Sequence, residues 1–201
     1  MPAPRTPATL AVLRRTGIIA GFPAVRGTAL QAIVNYFIDL ALLRRAPQDL
    51  PASSVLFGLV LIAGLLGGVL LSLTAGARVT VGLTQTVLDF GLMLGALYLA
   101  LHLVKRRRRF LQAATALVGA ETFIGLLALL PVSVAAPGSE ETPMLALAGL
   151  LFLGLVGWSA LITGHILRHT FGITLAQGVA IGIAFDLVSY VVVGALTETA
   201  F

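Results

Sequence analysis

The chain contains no cysteine, which excludes a disulfide framework and any thiolate metal site and leaves the redox compartment open. Charge is scarce too. Asp, Glu, Lys and Arg make up 10% of the 201 residues, against roughly 25% in soluble domains, so most of the surface is not built to face water. Metalloprotease, nucleophile-elbow, phosphate-loop and dinucleotide-binding patterns are all missing. Acids outside the apolar stretches are too few for a metal-dependent phosphoryl-transfer site. A membrane-embedded hydrolase would need a nucleophile beside a His or Asp, and none is placed there. No catalytic residue, no cofactor and no enzymatic activity are therefore expected.

What is abundant is apolar: 58% of residues are hydrophobic. Five stretches, at about 55–74, 80–104, 110–131, 144–167 and 174–196, each approach the roughly 20 residues that a 30 Å hydrocarbon core requires. They almost lack the polar face that a soluble amphipathic helix shows at a period of 3.6. The prediction is an all-α polytopic membrane helical bundle of five transmembrane helices, one domain over 50–201. Ahead of it, residues 1–26 read as a cytoplasmic tail broken by Pro2, Pro4, Pro7 and Pro23, without the apolar core of a cleavable signal peptide. In 27–46, Thr28, Gln31, Asn35 and Asp39 recur every three or four residues and so form one narrow helical stripe. That segment, with a central Asp, suits an N-terminal interfacial amphipathic helix or a groove between spans rather than a crossing. Pro47-Gln-Asp-Leu-Pro-Ala-Ser then reads as a tight connector, with Ser53 or Ser54 as N-cap.

The pI of about 10.7 invites a nucleic-acid reading, but the cations sit at the ends of apolar segments. Of 13 Lys and Arg, only Arg78 falls outside if the N-terminus is cytoplasmic, and the remaining twelve stay inside. The C-terminus, Glu140 and Glu141 then lie outside. The reverse orientation would translocate Lys105, Arg106, Arg107, Arg108 and Arg109, at about 2.5–3.5 kcal/mol per charge on insertion scales. This predicts a multi-pass protein of the inner membrane. The same basic run is a topology anchor and a candidate site for anionic lipid headgroups. It lacks the interleaved aromatics or folded module of a nucleic-acid site, so the expected partners are the lipid bilayer and another membrane protein or a second copy. Gly64/Gly68, Gly91/Gly95, Ala160/Gly164 and Gly178/Gly182 are small-residue pairs four apart, the spacing that lets helices approach closely.

Three carboxyls, Asp89, Glu121 and Asp186, lie far from any helix end, roughly 15–18 Å in at 1.5 Å per residue, and no Lys or Arg lies at that depth. Bare charges there cost several kcal/mol, about 3 or more each, so at least some of the three are expected to carry a proton. One reading is a shared polar centre for a proton, a cation or a cationic headgroup. The other is interhelical hydrogen bonding to Thr84, Thr86, Thr122 or Ser189. His165 and His169 share a helix face and His102 ends the second span at the same level, the only weak candidate for a metal site. Arg168 and the basic run would repel a cation there, so no metal is expected. Trp158 lies inside the fourth span, where its indole N–H should find a partner on a neighbouring segment.

Five spans, a cytoplasmic N-terminus, a basic connector after the second span and an outside C-terminus resemble the Yip family of membrane proteins. Gly157-Trp158-Ser159 through Phe171-Gly172-Ile173-Thr174-Leu175-Ala176 looks like that family's Trp-containing span, short turn and small-residue entry into the last span. Gln177 stands near the family's usual Lys, and the acidic-aromatic motif ahead of the spans is missing. The chain is also similar to small proteobacterial inner-membrane proteins in which Pro47-Gln-Asp-Leu-Pro-Ala-Ser leads into the first span. The resemblance implies a non-catalytic adaptor that shapes membrane or recruits partners. The sequence thus predicts a non-enzymatic scaffold or assembly factor binding membrane partners and anionic lipid. The alternative is a small proton- or cation-linked transporter using Asp89, Glu121 and Asp186.

Overall fold

Proline, glycine and short polar runs divide the described residues into six α-helices, and no strand occurs among them. The computed structural model describes residues 29–135 and 142–198; the expected tail, 1–26, lies outside them. The helices are α1 (Ala29–Ala41), α2 (Ser54–Thr74), α3 (Val79–Leu103), α4 (Phe110–Val134), α5 (Pro143–Phe171) and α6 (Leu175–Glu198). The last five are long and apolar enough to cross a membrane, the length and composition of a multi-pass membrane protein. The chain parts into two units, Met1–Asn35 and Tyr36–Phe201. Of the first, only the opening turns of α1 are described, with Val34 exposed.

Local chemistry explains where the helices start. Ser53 caps α2 by accepting from Leu56 N–H at 3.3 Å, and Thr142 caps α5 by accepting from Leu145 N–H at 3.2 Å, with Pro143 in the first helical position. At α6, Thr174 and Gln177 bond each other's backbone N–H reciprocally, a capping box.

Three boundaries differ from those read off the sequence, and the first is α4, which continues past its expected end at 131 through Pro131 to Val134. Helix α5 runs through Arg168 and His169 to Phe171 and stops at Gly172, whose φ of 74° is left-handed. Charge in a last turn is compatible with the helix dipole, so Arg168 does not break it. Helix α1 ends at Ala41, short of 46, because Leu43 takes a left-handed φ of 59° and the chain turns back there.

Within the unit Tyr36–Phe201 the five long helices close a ring in the order α2, α3, α6, α5, α4, with α4 also touching α3. Helix α4 lies innermost, every residue from Ala113 to Ala120 being buried. That run is mostly Ala, Thr and Gly, so neighbours pack close to its backbone. Close approach is real at several predicted pairs. A side chain at Gly178 would collide with the backbone of Gly164 on α5, and one at Gly64 would meet Phe90 at 2.8 Å and Thr122 at 2.9 Å. A side chain at Gly91 or Gly95 on α3, by contrast, would meet nothing among the described residues.

The segment 36–50 is seated between α4 and α5. Leu40 is fully buried, and the Phe37 ring occupies the hollow over Gly119. Trp158 donates from Nε1 to the Ala41 carbonyl at 2.8 Å, His165 from Nε2 to the Arg45 carbonyl at 2.9 Å, and Gln112 from Nε2 to the Leu50 carbonyl at 2.7 Å. At 1.5 Å per residue, these side chains are rooted about 20, 9 and 3 Å from the basic end of their helices. The segment therefore re-enters the bundle and leaves by the same end, its non-helical backbone satisfied by protein donors as a membrane interior demands. Tyr36 ties the turn by donating to the Ala46 carbonyl at 2.8 Å. Burial, then the Asp49 carboxylate, raise its phenol above the ordinary value and keep it a donor.

Candidate polar centre and basic end

Asp89, Glu121 and Asp186 project from α3, α4 and α6, and the ring brings all three to one cavity of about 580 Å³. It occupies the half of the bundle that holds the α2–α3 turn, lined also by Gln85, Ser159, Ser189 and Tyr190. A second, smaller cavity of about 160 Å³ lies toward the basic end, lined by Met93, Leu97, Leu117, Thr163 and Phe185. Glu121 and Asp186 line both cavities, while Asp89 faces the larger alone. Among the described residues no Lys or Arg lines either one. The two shared carboxyls therefore stand where the halves meet, without a cation to pair with.

Hydrogen bonding separates the three. Ser189 donates from Oγ to Asp89 Oδ1 at 2.5 Å and so ties α6 to α3. Of the other hydroxyls expected as partners, Thr86 and Thr122 turn back to carbonyls of their own helices, Gly82 at 2.8 Å and Val118 at 2.7 Å. Asp89 thus has a structural bond, whereas Glu121 is half-buried and Asp186 exposed, both facing open volume. Sequence spacing could place the acids at one depth but could not show that three different helices turn them inward. Ser159 and Tyr190 were missed because single polar residues in apolar spans carry no pattern.

At the basic end the five cations divide. Arg106 donates from Nη1 to the Phe171 carbonyl at 2.9 Å and to Thr170 at 3.3 Å. Arg109 donates from Nη1 to the His169 and Thr170 carbonyls, each at 3.2 Å. These two satisfy the free carbonyls at the negative end of α5. Arg107 donates from Nη2 to His102 Nε2 at 2.7 Å. Lys105 sits in a left-handed backbone conformation, φ 57°. All five, with His102 and Leu103, line an open cavity of about 700 Å³.

The histidines do not assemble into a metal site. His165 and His169 stack edge to face at 4.5 Å between ring centroids, but His165 is bonded to the Arg45 carbonyl and His102 to Arg107. Among the described residues no group of three metal-ligating side chains converges. Compared with known proteins, the chain matches no family model, no curated protein and no solved structure.

Proposed function

We propose that the chain is a small proton- or cation-linked transporter of the inner membrane, with Glu121 and Asp186 as the exchanging groups and Asp89 as their oriented neighbour. The observation that carries this reading is that both exchanging carboxyls line two cavities, one in each half of the bundle. With the N-terminus cytoplasmic, as the distribution of Lys and Arg favours, the larger cavity faces outward and the smaller one inward. An empty site is tolerable in the apolar interior when its acids hold protons, because no bare charge is then buried. An arriving cation replaces a proton, so the charge at the midplane changes little and the two movements are coupled. Phe90, Phe152 and Tyr190 around the larger cavity add ring faces that attract cations.

The test is flux in proteoliposomes loaded with a pH-sensitive dye and challenged with sodium, potassium or tetramethylammonium. At least one cation should drive proton movement, and Glu121→Gln should abolish it while leaving the protein folded. Equal traces for wild type, Glu121→Gln and empty vesicles with all three cations would sink the reading.

A non-enzymatic scaffold is the second reading. It is favoured by Gly91 and Gly95, a pair at close-packing spacing that meets nothing among the described residues, and by the Yip-like resemblance. A scaffold predicts recovery of a membrane partner in mild detergent, unchanged when Asp89, Glu121 and Asp186 are replaced by their amides. A transporter predicts lost flux in that same variant.

A further inference from the structure

We propose that Lys105, Arg107 and Arg108 form a binding site for the phosphate of an anionic phospholipid headgroup. The run could have been five equivalent cations serving as a topology anchor, but their surroundings differ. Arg106 and Arg109 are spent on the carbonyls that end α5, and this pins both ends of the short 3₁₀ turn Arg107–Arg109. Lys105 is held in a conformation that residues other than glycine rarely adopt. The remaining cations are thereby gathered about one cavity instead of trailing into solvent.

Among the described residues no carboxylate lines that cavity, and the one ion pair they form, Arg45 with Asp39 at 3.6 Å, lies elsewhere. Three clustered positive groups without a counter-charge repel one another, and an anion relieves that repulsion. Arg guanidinium offers the paired, planar donors that fit phosphate oxygens. The apolar rim points to a lipid rather than free phosphate. Leu103 lines the cavity and is 70% exposed, and Leu99, Val104 and Tyr98 are exposed beside it, a surface along which acyl chains can lie while the headgroup meets the cations.

The test counts lipids held by the purified full-length protein by native mass spectrometry, titrating phosphatidylglycerol against phosphatidylcholine. Wild type should retain phosphatidylglycerol in clear preference. The pair Arg107→Lys with Arg108→Lys keeps net charge and topology signal yet loses the paired donors, and should lower retention about tenfold. Arg168→Gln, which removes a cation outside the cavity, should leave retention unchanged. Equal retention of the two lipids by wild type overturns the proposal whether or not the variants fold. So does a diffuse response, in which Arg168→Gln weakens retention and the Lys pair does not. Displacement of the lipid by millimolar inorganic phosphate would overturn the lipid assignment in favour of a free-anion site.

Discussion

Replacing Trp158 by Phe tests whether the segment 36–50 is a fixed part of the bundle. The substitution keeps an aromatic ring but removes the Nε1 donor that meets the Ala41 carbonyl at 2.8 Å. Ala41 is 2% exposed, so water does not readily replace the donor. A buried acceptor left unmade costs about 1–3 kcal/mol. Trp158 is only half-buried, which argues for the lower part of that range, about 1–2 kcal/mol or a factor of ~5–30 in an opening equilibrium. The natural lack of cysteine makes the measurement simple, because Ala41→Cys creates the only thiol. In the folded protein its labelling by a maleimide proceeds through local opening, so the rate reports the open population when reclosing is fast. Trp158→Phe in that background should accelerate labelling by about 5–30-fold with unchanged helix content by circular dichroism. An unchanged rate would mean that the indole bond holds nothing, and the re-entrant seat would lose its main support.

Two further outcomes follow from the packing and the charge pattern. Gly178→Leu should destabilise the bundle in a detergent unfolding titration by about 1–3 kcal/mol or more, since the new side chain collides with backbone at Gly164; Gly91→Leu, which meets open space, should change monomer stability by less than about 0.5 kcal/mol. Single cysteines at Arg107 and Ala135, both exposed and at opposite ends of α4, should label from opposite sides of intact cells, and labelling from one side would refute the proposed topology.

The five long helices were legible because each must satisfy its own backbone and present apolar side chains over a bilayer's thickness, and both demands are written locally. Their ends were less so. Helix α5 gains its last turn from Arg106 and Arg109, which lie some 60 residues away in sequence, a distance no local pattern encodes. The stripe of Gln31, Asn35 and Asp39 has a helical period, but that period says nothing about Leu43 reversing the chain. The depth of Asp89, Glu121 and Asp186 could be counted from helix starts. Their convergence depended on the order of helices around the ring, and of the expected hydroxyls Ser189 bonds an acid while Thr86 and Thr122 bond their own helices. Gln112, which bonds the carbonyls of Gln48 and Leu50, looked like an ordinary polar residue near a helix start. What distinguishes it is the re-entrant segment it holds.

The two deepest bonds that seat 36–50 join residues 117 and 120 positions apart. During synthesis at about 5–20 residues per second, the segment therefore waits roughly 6–24 s for the partners that receive it. Until Trp158 and His165 emerge, the carbonyls of Ala41 and Arg45 have only water or the translocation machinery to meet. The segment 36–50 thus settles only after the partners on α5 are made, and the synthesis of α2 to α5 precedes the event that closes their basic end.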